Sequence, residues 1–234
     1  MHKKNEDSWH RGHAYYENNS VNEYMKGEEW RRKVAQERLD LIEKVIAKGK
    51  LLEIGCATGL FLDEANKHNW EVHGIDPFEI AINFGREHYP DIHFQVGSDL
   101  SFWNDEFFDV IVCFDTLGYL DNPKTAIKEI ARLLRPMGLL FMTNVYPNRV
   151  FFENASAQSF NYYFEKNTLH RILEKFGFFL IRSQLRAKNL NTQKLYTWGW
   201  IKHRFFPLNR TYIMMTYTTA RRRRKDNYEN YDSR

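Results

Sequence analysis

The stretch Lys50-Leu-Leu-Glu-Ile-Gly-Cys-Ala-Thr-Gly59 constrains this chain more than any other. Leu51, Leu52 and Ile54 read as a short strand buried on both faces, because a strand covered from two sides is apolar without alternation. The strand stops in Gly55-Cys56-Ala57-Thr58-Gly59, and a helical pattern (Leu60, Phe61, Leu62, Ala65) begins at once. Small residues at such a bend let the backbone take unusual angles and come close to a ligand, and the bend is expected to leave N–H groups pointing into a crevice. About twenty residues past the glycines, Asp76 stands where a second strand would end, placed to accept both hydroxyls of a ribose. Together these features predict a site for a nucleoside-bearing cofactor.

Either side of this stretch, strand and helix patterns alternate. Apolar positions recur at helical spacing from Glu28 (Trp30, Val34, Leu41, Ile42, Val45) to near Lys48-Gly49. Strand Leu51–Ile54 precedes helix Leu60–His68, and strand Glu71–Ile75 precedes helix Phe78–His88. Short strand His93–Val96 is followed by strong strand Phe108–Phe114, a helix from Pro123 to Leu134, and strand Leu139–Val145 after the turn Pro136-Met137-Gly138. Helix Thr168–Phe176, a stop at Gly177, strand Phe178–Gln184 and a last run Tyr212–Thr219 complete the pattern. Such alternation specifies an α/β protein with a parallel sheet covered on both faces. Residues 1–27 read as an N-terminal lid segment and 28–219 as the domain, with an insertion at 185–211; residues 220–234 read as a basic, then acidic tail.

Taken in order, these segments resemble the class I S-adenosylmethionine-dependent methyltransferase family. Glu53-Ile54-Gly55-Cys56-Ala57-Thr58-Gly59 resembles its first motif and Gly74-Ile75-Asp76-Pro77 its second-strand acid. Phe107-Phe108-Asp109-Val110-Ile111-Val112 resembles the fourth strand, and Asn122-Pro123 through Leu139-Leu140 the helix and turn leading into the fifth. Tyr163-Phe164, Leu169, Leu173 and Phe176-Gly177-Phe178 resemble the late helix and sixth strand. The resemblance runs from about Glu28 to Thr219 and implies a doubly wound, seven-stranded, mostly parallel sheet with its last strand antiparallel. It is greatest to small bacterial-type members associated with glycan and small-molecule biosynthesis, with Leu208-Asn209 running into Ile213-Met214. The implied cofactor is S-adenosyl-L-methionine and the implied product S-adenosyl-L-homocysteine. NAD(P) is the competitor. A dinucleotide fingerprint calls for a third glycine near Leu60, and the acid Glu53 before the turn would repel a pyrophosphate, whereas the methyltransferase resemblance implies that it helps hold the cofactor's cationic amino group.

The resemblance carries the site residues with it. Glu53, Gly55, Cys56, Ala57 and Gly59 form the expected cradle for the methionine end, Ala57 replacing the commoner glycine. Asp76 and Pro77 face the ribose, Asp99 and Leu100 the adenine, and Phe114 closes the fourth strand beside the cofactor. Each has a plainer reading: a tight turn for the cradle, a helix cap for Asp99.

Methyl transfer is an in-line displacement in which the protein aligns the acceptor and excludes water. A hydroxyl acceptor must also lose a proton to a base. Related enzymes often place a Glu-His pair where this chain has Gly118-Tyr119. A tyrosine, with a pKa of about 10, is a poor base at neutral pH. Asp115 is therefore the candidate base, and Tyr119 a residue that orients the acceptor or sets its electron-rich face near the sulfonium, although a strand-end Asp is often a cap; an amine or carboxylate acceptor would need no base. Tyr15 and Tyr16 are candidate lid residues over the cofactor. His10 and His13 have no companions at ligand spacing, so no metal site is expected.

Composition bounds the partners. A net charge of +4 over 234 residues does not demand nucleic acid, and two cysteines, Cys56 and Cys113, make no disulfide framework. No apolar run is long enough to span a membrane and no signal-peptide core is present, so a cytoplasmic setting is expected. The 16% aromatic share gathers partly in residues 194–225, where Tyr196, Trp198, Trp200, Phe205 and Phe206 alternate with basic residues before Arg221-Arg222-Arg223-Arg224-Lys225. That segment suits a lid over the acceptor, packing on the core, or peripheral contact with the inner face of a membrane and a lipid-linked acceptor. The expected function is methylation, on oxygen, of a small-molecule or glycan-type acceptor. The alternatives are an RNA or protein methyltransferase and a cofactor-binding module without turnover.

Overall fold

The continuous apolar run of the first strand is explained by where it lies. In the computed structural model, which describes residues 21–145, 161–189, 195–197 and 212–222, strand β1 (Lys50–Ile54) sits between β2 (Glu71–Asp76) and β4 (Phe108–Phe114), parallel to both. Leu51 joins a core cluster with Ala35, Leu39, Leu62 and Phe141. Leu52 points the other way, into a cluster with Ile111, Leu133, Leu140 and Phe178. From Leu51 to Ile54 each strand residue therefore meets a covered face, and polar alternation has no place.

β3 (His93–Val96) and β5 (Leu134–Val145) extend the parallel sheet on either side. β6 (Phe178–Asn189) lies beyond β8 (Tyr212–Arg222), which is antiparallel to both β5 and β6. The order is β3-β2-β1-β4-β5-β8-β6-β7, where β7 (Leu195–Thr197) is a three-residue edge strand antiparallel to β6. The expected seven-stranded, doubly wound architecture is present, with this short eighth strand at its margin.

The helices are α1 (Val21–Met25), α2 (Glu28–Glu43), α3 (Leu60–Lys67), α4 (Glu79–His88), α5 (Pro123–Leu133) and α6 (Lys166–Lys175). α5 shows how local sequence sets a boundary: Asn122 accepts the Thr125 N–H at 3.2 Å, Pro123 occupies the first turn, and Ile127, Ile130 and Leu133 are fully buried. Gly177, at φ 82°, stops α6 as the sequence predicts.

The structure departs from expectation at both ends of the domain. α2 ends at Glu43, short of Lys48-Gly49, and buries Ala35, Leu39 and Ile42. β8 runs on through Arg222, beyond the expected Thr219. Arg221 donates to the Met137 and Val45 carbonyls at 2.8 and 2.7 Å, and Arg222 donates to the Leu134 carbonyl. The first two arginines of the basic run are thus strand residues tied to backbone oxygens, not part of a free tail. Arg223-Arg224-Lys225, Tyr15, Tyr16 and most of the aromatic segment from Lys194 to Phe206 lie outside the described residues.

The sheet order reverses between β1 and β4. The chain leaves β1 toward β2 and leaves β4 toward β5, which opens a crevice outside the carboxyl ends of these two strands.

Candidate functional site

A cavity of about 300 Å³ occupies that crevice, a size suited to a small ligand. Its floor comes from the end of β1 and the following turn (Glu53, Gly55, Cys56, Ala57) and from the end of β4 (Phe114, Asp115). Leu60 and Phe61 of α3 line it too, and one wall is a face of α2 with Trp30, Arg31, Val34, Ala35 and Arg38, joined by Tyr24.

The turn is held by its own hydrogen bonds. Gly55 N and Cys56 N both donate to the Ile75 carbonyl at 2.8 and 3.2 Å, and Gly59 N donates to Cys56 O at 2.9 Å. Ala57 N donates to Asp76 Oδ2 at 2.9 Å. The expectation of unpaired N–H groups aimed at the ligand is therefore not met at these residues. What the turn offers is a lack of side-chain bulk. Gly55, at φ 77°, has no room for a Cβ because the Thr116 side chain occupies that space. Ala57 sits at φ 50° and Gly59 at φ 83°. Cys56 is buried and packs toward Gly74, its thiol pushed well up by burial and by the neighbouring carboxylates Asp76 and Glu53.

Glu53 is 5% exposed, and its Oε2 is buried with no hydrogen-bond partner among the described residues. Burial pushes its carboxyl well above the ordinary range, Arg38 pulls it back, and Asp76 adds to the rise. Arg38 is the counterpart. Its guanidinium lies 4.0 Å over the Phe114 ring and 3.9 Å from Asp115 Oδ2, and its Nε is likewise buried and unpartnered. A buried acceptor and a buried donor thus face one cavity, each lacking a bond that such groups ordinarily make.

Asp115 is held in an unusual pose. Its backbone is left-handed, at φ 58°, and its N–H donates to Thr143 O at 2.8 Å. The Thr143 hydroxyl, fully buried, donates to Asp115 Oδ1 at 3.0 Å. Two adjacent strands therefore fix the carboxylate, leaving Oδ2 toward Arg38.

The other sequence-predicted residues lie around this centre rather than in it. Asp76 does not line the cavity: Oδ1 accepts the Phe78 N–H at 3.0 Å and Oδ2 the Ala57 N–H, while burial raises its pKa against those two bonds. Pro77 follows it, partly exposed. Asp99 caps the 3₁₀ turn Leu100–Phe102 by accepting the Ser101 N–H at 2.9 Å, and Leu100 is buried. Tyr119 is 39% exposed and is absent from the cavity lining; its carbonyl accepts from Asn161 Nδ2 at 2.7 Å.

Sequence reasoning missed α2 as a wall of the site. The available signal was Arg31 and Arg38, seven residues apart on one helical face and interleaved with the apolar Trp30, Val34 and Ala35, where a core-facing stripe would carry no charge. α2 is seated by Arg32, which bonds Glu28 at 2.7 Å, Tyr89 at 3.1 Å, and both Asp63 and Glu64 of α3. Among the described residues no cluster of His, Cys, Asp or Glu is arranged to hold a metal ion, and no helix is long and apolar enough to cross a membrane.

Comparison with known proteins agrees with this geometry. The ubiquinone biosynthesis O-methyltransferase of Coxiella burnetii is 33% identical over 118 residues, covering 47% of this chain and 50% of the relative. That of Azoarcus sp. is 29% identical over 119 residues, covering 47% and 51%. The chain thus spans about half the length of the curated relatives it matches. Among solved structures, the fold is shared with YcgJ of Bacillus subtilis (TM-score 0.63, 13% identity, 82% of this chain and 99% of that one). It is shared equally with a SAM-dependent methyltransferase of Methanosarcina mazei (TM-score 0.62, 17% identity, 78% and 97%). A family model for the methyltransferase domain matches residues 23–183, from the α2 wall through the turn, Asp76 and Asp115 to β6, and the chain accordingly belongs to the methyltransferase-domain family.

Proposed function

We propose that the protein transfers a methyl group from S-adenosylmethionine to an oxygen of a small-molecule acceptor. The observation that carries this reading is the pair of unsatisfied buried atoms, Glu53 Oε2 and Arg38 Nε, in one cavity. A free amino acid end is complementary to both: its ammonium would satisfy Glu53 and its carboxylate Arg38. The dinucleotide alternative fits poorly, since four of the turn's five N–H groups (Gly55, Cys56, Ala57 and Gly59) are already bonded and a buried carboxyl would face the pyrophosphate. When bound, the cofactor supplies an electrophilic methyl on a positively charged sulfur.

The chain's own residues do the rest. Gly55 and Ala57 keep side-chain bulk out of the floor, and Phe114 with Phe61, centroids 4.9 Å apart, gives the cavity an apolar flank that excludes water. Asp115, aimed by Thr143, is the group able to take the proton of an acceptor hydroxyl. Arg38 lies 3.9 Å from its Oδ2 and the Thr143 hydroxyl bonds its Oδ1, so Asp115 is held in place to accept and orient that proton. Asp76 acts on the cofactor side by fixing Ala57, and a carboxylate oxygen that accepts one N–H keeps a second lone pair for a ribose hydroxyl. Tyr119 and the capping Asp99 are assigned to acceptor positioning and to the adenine end.

The named relatives support a small-molecule acceptor over a glycan. Membrane contact through residues 194–225 loses two cations to the sheet, Arg221 and Arg222, and its remainder is tested by binding to anionic vesicles. The function itself is tested by calorimetry with S-adenosylhomocysteine, followed by methyl consumption with a panel of phenols and alcohols. Binding with turnover is expected; uptake of a nicotinamide dinucleotide in place of the homocysteine compound would end the assignment.

A further inference from the structure

One cation of the cavity wall has no role in this scheme. Arg31 lines the cavity together with Tyr24 and Trp30. It stands seven residues before Arg38, on the same face of α2 but about 10 Å along the helix axis at ~1.5 Å per residue. Two guanidiniums rooted so far apart on one wall suit two different anionic groups. Arg38 is beside Glu53, Phe114 and Asp115. Arg31 is beside Tyr24, whose ring lies 3.9 Å from its guanidinium carbon and whose carbonyl accepts one of its N–H groups.

Arg31 is seated yet makes no direct ion pair among the described residues. A Cβ on residue 27 would lie 2.6 Å from Arg31 Nη1, so Gly27 leaves the guanidinium its place. No carboxylate among the described residues makes an ion pair with it, whereas the adjacent Arg32 bridges Glu28, Asp63 and Glu64. With one donor spent on the Tyr24 carbonyl, the planar fork keeps others in a geometry that matches a carboxylate or a phosphate. Charge balance points the same way. Arg31 and Arg38 offset Asp115 and an ionised Glu53, so the sulfonium cofactor, with one net positive charge, leaves the filled cavity one charge short of neutrality.

We propose that the acceptor carries an anionic group, a carboxylate or a phosphate, and that Arg31, braced by Tyr24, is the residue that recognises it. The inference rests on the methyltransferase reading of the same cavity.

The test is calorimetry on protein saturated with S-adenosylhomocysteine. The probes are 4-hydroxybenzoate and phenyl phosphate, each against a neutral partner, 4-hydroxybenzamide and phenol. At least one anionic probe should bind roughly tenfold or more tighter than its partner, as expected for a charge-assisted hydrogen bond. Which of the two wins distinguishes carboxylate from phosphate. Arg31→Met should erase the preference while leaving the homocysteine compound's affinity unchanged, and Arg31→Lys should keep part of it. Equal binding of charged and neutral probes, no binding of either anion, or a preference that survives Arg31→Met would overturn the proposal. So would a loss of cofactor-product affinity in both Arg31 variants, which would place Arg31 on the cofactor. If the wild type fails to bind S-adenosylhomocysteine at all, the failure belongs to the underlying reading and is seen before any acid is added.

Discussion

Arg38 and Glu53 line one cavity from opposite elements, α2 and β1, and each buries a polar atom that no described residue satisfies. Groups left in this state destabilise a folded protein by about 1–3 kcal/mol each unless a ligand or water completes them. Their opposite polarity makes the pair a receptor for a zwitterion.

Removal of the cation should therefore weaken cofactor binding. Arg38→Met is expected to raise the dissociation constant for S-adenosylhomocysteine by roughly 10- to 100-fold, the range for a hydrogen bond to a charged group. Arg38→Lys should recover little, because the planar stack on Phe114 at 4.0 Å suits a guanidinium and not an ammonium. Calorimetry returning wild-type affinity for Arg38→Met would refute this role.

Glu53 ties binding to pH. Burial, the largest influence, holds its carboxyl well above the ordinary 4.5 in the empty protein, with Arg38 opposing and Asp76 reinforcing. The native state then keeps a proton that the unfolded chain releases. The sign follows: Glu53's contribution to stability is fully present below about pH 4.5 and is lost as pH rises through the elevated folded value. Glu53→Gln should make the empty protein more stable than wild type at the alkaline end, with the gap closing toward acid. In the wild type, docking of an ammonium should expel the Glu53 proton. Calorimetry in buffers of different ionisation heat should register that release in the wild type and not in Glu53→Gln.

Asp115 separates chemistry from binding. Asp115→Asn keeps an acceptor for the Thr143 hydroxyl, and asparagine tolerates the left-handed backbone at φ 58°, so the melting temperature should hold. Turnover of a hydroxyl acceptor should fall by roughly 10²–10⁴-fold, the usual weight of a positioned proton acceptor. An undiminished kcat with a phenol would remove Asp115 from the reaction.

The turn makes a prediction of opposite signs. Ala57, at φ 50°, holds a left-handed backbone that costs a non-glycine residue about 1–2 kcal/mol. The extra unfolded-state freedom of a glycine offsets roughly 0.5–1 kcal/mol of that relief, so Ala57→Gly should stabilise by up to about 1.5 kcal/mol. Gly55→Ala meets both φ 77° and the Thr116 side chain, and should destabilise by more than about 1 kcal/mol. Urea unfolding that shifts both variants in the same direction would contradict this account.

The legible parts of the chain were those written in short spans. Strand β1, the small-residue turn and the capped start of α5 each depend on side-chain size, apolar period and backbone freedom within a few consecutive residues, so the sequence alone determined the parallel sheet, its crevice and the family. Boundaries shifted where distant partners intervene, as at Arg221, whose hydrogen bonds reach back to Met137 and Val45. Only the tertiary structure decided which face of α2 meets the cavity, that Arg38 stands over Phe114, that the Gly55, Cys56 and Ala57 N–H groups are consumed by Ile75 and Asp76, and that Asp115 lies inside while Tyr119 lies outside. Each of these joins residues far apart along the chain. A helical period shows that a face exists; what that face packs against is set by the folding of the whole domain.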